Sequence, residues 1–501
     1  MTAQTPPRPA LAPLTRDQVL ITIGIMAAIA VAALDSTVVG TAMPTIIGQL
    51  GGLADYAWVF SAYLLASTTT VPLYAKLADV HGRKPIFLFG LALFVGGSAL
   101  CGLSQSMLEL IVFRTIQGLG AGAVQPISFT IVGDIFEPAR RARMQGVFSG
   151  VWGAAAVVGP AIGGIITTTV GWPWVFEINL PIGIVAGTII WLVLHEHVEH
   201  RQHQLDWAGA ILLTASIVLL LFAVSEGGQL FGWTSPLTIG LIVGAILLAA
   251  AFVWVANRTP EPLIDLELPR APVIRAGLLI GTLGGVVMYG LTTYVPPMVQ
   301  GVHGGSPVDA GVAVAAMSIG WPVGSVVAGR SLLRARARPI VLVGCGMLVV
   351  GTLLITQLDR VPALWFAALG AAVTGLGMGL MSTTLLVIIQ GAVPWQRRAV
   401  ATGLVQFSRT IGGAVGVGVM GGILTAFVGT ASSAILDPVA RTTLPASDLV
   451  ADRAALASGL DVVYWLMFAV AVLAAALAVR TMPDVALGHA IEDRRELREA
   501  A

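Results

Sequence analysis

Gly118-Leu119-Gly120-Ala121-Gly122 is followed by Arg140-Arg141-Ala142, and the pattern returns as Gly375-Leu376-Gly377-Met378-Gly379 followed by Arg397-Arg398-Ala399. At the same offset Gly146, Gly159 and Gly164 fall on Gly403, Gly416 and Gly421. Just upstream, Lys84-Pro85-Ile86 with Gly90 is echoed by Arg338-Pro339-Ile340 with Gly344, at an offset three residues shorter. Self-similarity of this kind marks a chain built from two copies of one unit.

The surroundings of the repeat identify the medium. Of 501 residues, 56% are apolar and only 11% are charged. A chain this apolar is expected to sit in a bilayer, where a spanning helix needs about 20 residues. Fourteen such spans can be read, near 18–42, 56–75, 85–104, 107–132, 144–169, 174–194, 208–226, 236–256, 276–300, 308–329, 339–357, 362–390, 399–429 and 459–479. The repeat relates spans 3–5 to spans 11–13. Extended outward, it pairs spans 1–6 with 9–14 and leaves spans 7 and 8 as an insertion. The expected organisation is a tail over 1–17, a six-helix bundle over 18–194, a linker with two extra helices over 195–271, a second six-helix bundle over 272–481 and a tail over 482–501. Two parallel repeats of this kind create a midplane cavity between the halves.

Lys and Arg stay on the cytoplasmic side of short loops. With the N-terminus inside, 22 of the 27 fall on inner segments, so both tails are expected to be cytoplasmic. The first apolar run is too long for a signal-peptide core, and no cleavage is expected. Cys101 and Cys345 lie inside separate spans and suggest no disulfide. The 25 Arg against 2 Lys fit a GC-rich, prokaryotic genome.

Three charges fall deep within spans, away from their ends. Asp35 interrupts the apolar run from Val19 to Leu50, where a charge costs at least about 2.5 kcal/mol on insertion scales. It is a candidate for proton or cation binding, against the alternative of a structural carboxylate that fixes span 1. Arg114 must also find a partner; it either assists proton exchange or binds backbone carbonyls of span 1. Arg409 in span 13 poses the same question without a repeat-matched counterpart.

These residues resemble the major facilitator superfamily, specifically its fourteen-helix drug:proton antiporters of the EmrB/QacA type. Ala75-Lys76-Leu77-Ala78-Asp79-Val80-His81-Gly82-Arg83-Lys84 is similar to the loop signature between helices 2 and 3, with Ala75 where Gly is usual. Arg114 to Gly122 resembles the helix-4 motif. Gly159-Pro160-Ala161-Ile162-Gly163-Gly164 is similar to the helix-5 signature of antiporters, and Leu34 to Val39 with Pro44 to that of helix 1. The resemblance implies an all-α membrane protein of the major facilitator fold. It implies proton coupling at Asp35 and Arg114, and conformational gating by Asp79, Gly82, Arg83, Lys84, Asp134, Arg141, Gly159, Pro160, Gly163 and Gly164. From the helices that line the family's cavity, the substrate candidates are Met43, Phe60, Tyr63, Gln125, Tyr289, Tyr294, Trp321 and Gln406. Some relatives carry an acid in helix 2, but this chain reads Trp58-Val59-Phe60-Ser61-Ala62-Tyr63 there.

His195, His197, His200 and His203 with Glu196 and Glu199 could be imagined around a metal, but a charge-rich connection is expected to be a solvated loop. No metal, cofactor, phosphate-binding loop or nucleophile elbow is expected, and nothing points to nucleic acid. The expectation is a monomeric, non-enzymatic, proton-coupled antiporter in a bacterial plasma membrane, with small molecules, protons and lipid as its partners. Its cargo would be lipophilic, cationic drugs or toxic compounds. The alternatives are a same-fold exporter of an endogenous metabolite, lipid, siderophore or antibiotic, and, further off, an uptake symporter, a channel or a membrane enzyme.

Overall fold

The computed structural model describes residues 14–136, 138–196, 206–226, 234–260, 262, 264, 266–332, 335–393, 398–428, 433–436 and 445–484. Fifteen α-helices run through them: α1 Arg16–Leu50, α2 Tyr56–His81, α3 Arg83–Gly102, α4 Met107–Ile135, α5 Pro138–Thr169, α6 Pro173–Glu177, α7 Asn179–Val193, α8 Trp207–Glu226, α9 Pro236–Ala256, α10 Pro272–Pro297, α11 Pro307–Ser331, α12 Ala337–Ile355, α13 Leu364–Gly391, α14 Arg398–Val428 and α15 Ala446–Thr481. The starts follow local chemistry. Thr15 and Gln18 form a capping box before α1, Ser306 and Asp309 another before α11, and Ser106 caps α4, satisfying N–H groups that have no partner within the helix.

Twelve described stretches are long and apolar enough to cross a membrane, with α6 and α7 joined in one of them and α10 extended to Val302. Fourteen were expected; among the described residues α5 contributes the shorter apolar stretch Val158–Thr169, and α2 is not one of the twelve. Both α2 and α5 also pack on the opposite half. Large apolar side chains such as Trp191, Leu192, Ile246, Leu247 and Trp365 are exposed on the outside of the bundle, as a bilayer requires.

The glycine repeat is a packing device used twice. A Cβ at Gly118 or Gly122 would collide with the Tyr63 or Ser67 carbonyl of α2, and one at Gly120 with the Gly90 carbonyl of α3. In the second copy, Gly375 and Gly379 sit on the Met317 and Trp321 carbonyls of α11, and Gly377 on the Gly344 carbonyl of α12. Backbones approach this closely only where side chains are absent, and this drives helix association in lipid.

The halves meet at the face of the bundle opposite the chain ends. There α5 packs on α11 and α14 on α2, the same pairing in each copy. Gly311 of α11 lies on the Pro160 carbonyl, Gly164 on Pro307 and Val308, and Gly421 on Ala57. Gln300 Nε2 donates to the Thr41 carbonyl at 3.0 Å, Ser61 Oγ to the Ala414 carbonyl at 3.0 Å, and the Tyr56 hydroxyl to the Thr293 carbonyl. One apolar core fuses both halves here, joining Met43, Ile46 and Tyr56 to Tyr294, Met298 and Met420. Toward the chain ends the cores separate, one around Ile25, Phe87 and Ile131, the other around Ile274, Val341 and Ile389. The halves therefore part toward the face that carries the chain ends.

Two local features shape the closed face. Pro296 and Pro297 remove N–H donors from the end of α10, and the chain widens into a π turn over Met298–Val302, with His303 N–H bonded to the Met298 carbonyl at 3.0 Å. The last span was expected to begin near 459, but α15 begins at Ala446, and Ile435 and Leu436, in a 3-10 turn before it, are buried in the fused core. The Ala-rich, charged start of α15 is helical without being apolar enough to read as a span. The α8–α9 hairpin lies outside: α8 touches α2 and α14 through Leu65, Ile217, Leu221 and Ile411, whereas α9 packs mainly on α8.

Gly311→Ala is expected to lower the stability of the full chain by about 1–3 kcal/mol, the usual cost of overpacking. Gly329→Ala on the same helix, with open space at its Cβ, is expected to be silent. Thermal unfolding in detergent reads both.

Candidate functional site

Asp35 and Arg114 find each other. Asp35 lies midway along α1 and Arg114 two turns into α4, and Arg114 Nη1 donates to Asp35 Oδ2 at 2.7 Å with both side chains almost wholly buried. Arg114 thus meets a carboxylate on α1 and not the α1 backbone. Arg114 Nη1 also donates to Gln117 Oε1 at 2.6 Å. Because a guanidinium only donates, Gln117 turns its oxygen to Arg114 and its Nε2 to Asp35 Oδ1, at 2.7 Å.

Two further helices complete the shell. Asn179, at the break between α6 and α7, donates from Nδ2 to Asp35 Oδ1 at 3.2 Å and to Ser98 Oγ of α3 at 2.9 Å. Gln117 Nε2 reaches the same Ser98 Oγ at 3.1 Å, and Ser98 in turn donates to the Phe176 carbonyl at 2.8 Å. Tyr63 of α2 closes the site with its ring 3.9 Å from the Arg114 guanidinium carbon. Every hydrogen bond to the Asp35 oxygens comes from a donor. Gln117, Asn179 and Ser98 were not singled out in the sequence. Gln117 stood inside the helix-4 motif, and an uncharged polar residue in a span gives little signal on its own.

The helix-5 glycines frame this network. Gly159 and Gly163 lie against Thr37 and Thr41 of α1, while Pro160 and Gly164 face α11 across the seam. Thr37 Oγ1 also donates to the Ala155 carbonyl at 3.2 Å. The motif is therefore two-faced, joining α1, which carries Asp35, to the opposite half.

The other candidates are distributed as follows. Met43 and Tyr294 are fully enclosed in the closed face, and Tyr294 donates to the Val417 carbonyl at 2.6 Å. They would line a cavity only when that face opens. Phe60 stacks edge-on against Tyr56 with ring centroids 5.6 Å apart. Gln125 is half-buried in α4. Tyr289, Trp321 and Gln406 gather around Arg409: its Nη2 donates to Gln406 Oε1 at 2.6 Å and its guanidinium carbon is 5.3 Å from the Trp321 ring.

In the loop signature, Gly82 adopts φ +95 as the residue before α3, a conformation suited to glycine. The side chains of Asp79, Asp134 and Arg141 lie outside the described residues, as do His197, His200, Glu199 and His203. Glu196, however, is placed with a role. Its Oε1 and Oε2 accept from the Arg83 and Lys84 backbone N–H groups at 2.8 and 2.9 Å, and Arg83 Nη1 stands 3.7 Å away. The segment after α7 thus carries the carboxylate that caps α3, where the helix dipole favours negative charge. No cluster of metal-ligating residues occurs among the described residues.

The Major Facilitator Superfamily model matches residues 25–225 and 207–417. The chain is 37% identical over 407 residues to the multidrug transporter protein MdtP of Bacillus subtilis, covering 81% of this chain and 75% of that protein. It is 36% identical over 405 residues to multidrug resistance protein 3 of the same organism, covering 81% and 79%. With multidrug resistance protein Stp of Mycobacterium tuberculosis it shares 32% over 431 residues, 84% and 79% of the two chains. Among solved structures, an inward-facing, unoccupied bacterial homologue of the human lysosomal transporter Spinster superposes with a TM-score of 0.66 at 17% identity, covering 94% of this chain and 99% of that one. A D-xylose-proton symporter gives 0.62 at 12%, covering 93% and 98%. The chain belongs to the major facilitator superfamily, within its multidrug efflux family. It is a multi-pass membrane protein of a class that moves small molecules and performs no enzymatic chemistry.

Arg114→Gln strands the Asp35 carboxylate and is expected to cost about 3–5 kcal/mol, as for other broken buried pairs. Replacing both, Asp35→Asn with Arg114→Gln, is expected to recover part of that loss in thermal unfolding. Glu196→Ala removes two helix-start partners and is expected to cost about 0.5–2 kcal/mol, the range for lost caps, by the same assay.

Proposed function

We propose that this protein is a proton-coupled antiporter that exports lipophilic compounds by alternating access. Its fourteen crossings would comprise two six-helix halves, 18–194 and 272–481, and the inserted pair between them, with α2 and α5 counted among the crossings. It would sit in a bacterial plasma membrane with both termini cytoplasmic, so that the parted face opens inward. The observation that carries this reading is the buried Asp35–Arg114 pair, whose carboxylate accepts hydrogen bonds from three donors.

The chemistry follows from that arrangement. In the inward-open state Asp35 is ionised, paired and shielded, and the cleft is free to take cargo. When the seam at the opposite face opens, Asp35 can take a proton from outside. The pair then loses its charge attraction and one of the two oxygens bonded by Arg114, Gln117 and Asn179 becomes a donor, which loosens the hold of α1 on α4 and α7. Because α1 is also the surface on which Gly159 and Gly163 pack, this change lies directly against the closing seam. Pro160 and the glycines around it serve as gating residues in this scheme, and Gly82, Arg83 and Lys84 as the cytoplasmic hinge between α2 and α3. A proton and a cargo molecule thus alternate without nucleotide hydrolysis.

In proteoliposomes with an imposed pH gradient, the unmodified chain is expected to drive a labelled lipophilic compound against its concentration gradient. Asp35→Asn is expected to reduce that movement to the level of empty liposomes while retaining exchange of labelled for unlabelled compound without a gradient. Gradient-driven movement undiminished in Asp35→Asn would remove Asp35 from the coupling.

A further inference from the structure

Arg409 is the intramembrane charge that the coupling network does not use. Its guanidinium has five N–H donors; Nη2 donates to Gln406 Oε1 at 2.6 Å, and Nε finds no acceptor among the described residues. Among the described residues no carboxylate forms an ion pair with it. Gln406 lies one turn earlier on α14 and is exposed, while Trp321 comes from α11. α14 and α11 both pack on α10, so the Arg409–Trp321 contact reaches across the inner face of the second half. Tyr289 of α10 flanks it: Gly413, one turn beyond Arg409, packs on the Tyr289 ring, which also touches the cluster holding Tyr63.

We propose that Arg409, with Gln406, Trp321 and Tyr289, forms a cargo subsite that takes an anionic oxygen group, such as a carboxylate, on an aromatic amphipathic molecule. The inference deepens the exporter reading and rests on it. A guanidinium left without a counter-charge in a low-dielectric cleft attracts an anionic oxygen and repels a cation. Trp321 and Tyr289 supply flat surfaces beside that charge for an aromatic ring. On the opposite wall Asp35 is already paired with Arg114. At this subsite an acidic cargo would be favoured over the cationic one expected from the sequence. A lipophilic acid is ionised in the cytoplasm at neutral pH, the form that meets Arg409 in the inward-open cleft.

The test compares two probes of the same ring size, tritiated 1-naphthylacetate and naphthylmethyl-trimethylammonium, by equilibrium binding to the full chain immobilised in detergent. The carboxylate is expected to bind about tenfold more tightly or better, the value of a charge-assisted hydrogen bond. Arg409→Gln is expected to abolish the preference and Arg409→Lys to keep most of it. Gln406→Glu leaves Arg409 in place but supplies it with a carboxylate, and is expected to weaken the naphthylacetate and strengthen the ammonium probe; this variant serves if Arg409→Gln does not fold. Equal binding of the two probes by the unmodified protein, or a preference that survives both Arg409→Gln and Gln406→Glu, would overturn the proposal. The measurement needs no gradient, so a failure of proton coupling leaves it readable, and its own failure leaves the coupling scheme standing.

Discussion

A charge surrounded by hydrocarbon must be met by another group, and the first half of this protein is organised around that requirement. Asp35 and Arg114 each would be costly alone; together they form a neutral pair that Gln117, Asn179, Ser98 and Tyr63 enclose. The contributing residues come from α1, α2, α3, α4 and from the α6–α7 junction, so one polar knot ties most of the six-helix bundle. Such a knot gives less net stability than an apolar core of equal size, and its presence at this depth fits a role in switching. Adding one proton to Asp35 would remove the charge that Arg114 neutralises and turn one of its two acceptor oxygens into a donor.

Packing without side chains carries the rest. In lipid, helices gain little from burying apolar surface against one another, and close backbone approach takes its place. Within each half the glycines of α4 and α13 let three helices converge. Between halves Gly164, Gly311 and Gly421 form the seam. α5 joins both uses, since Gly159 and Gly163 touch α1 two and six residues beyond Asp35 while Pro160 touches α11. The site of charge change and the surface that must open therefore share one helix. This is physical contiguity, the minimum that coupling between them requires.

What was legible in the sequence follows from the same physics. A glycine at a helix crossing tolerates no larger residue, so both copies keep it and the repeat can be read. A carboxylate or guanidinium in an apolar run stands out because its cost is high, and Asp35 and Arg114 were found that way. Gln117, Asn179 and Ser98 were not, because an uncharged polar side chain can bond to its own helix backbone, as Thr352 and Thr384 do here. The start of α15 at Ala446 was missed because a polar helix outside the membrane lacks the apolarity by which spans are recognised. Met43 and Tyr294 show a further limit. Sequence places them near the halves' interface, but whether they face a cavity or a packed core depends on which face is closed.

The inserted hairpin shows what the symmetry of the halves leaves free. The two seams, α5 with α11 and α2 with α14, are equivalent by the repeat, yet among the described residues α8 covers the second, with Ile217 and Leu221 against Leu65 of α2 and Ile411 of α14, and no described helix of the insertion covers the first. α8 touches both halves, so any relative motion at that seam would slide beneath it. An apolar contact of this kind tolerates sliding because dispersion and burial have no preferred direction. Two helices can thus sit on the outside of the bundle without altering the pairs of backbones that meet between the halves, and they make the two seams unequal.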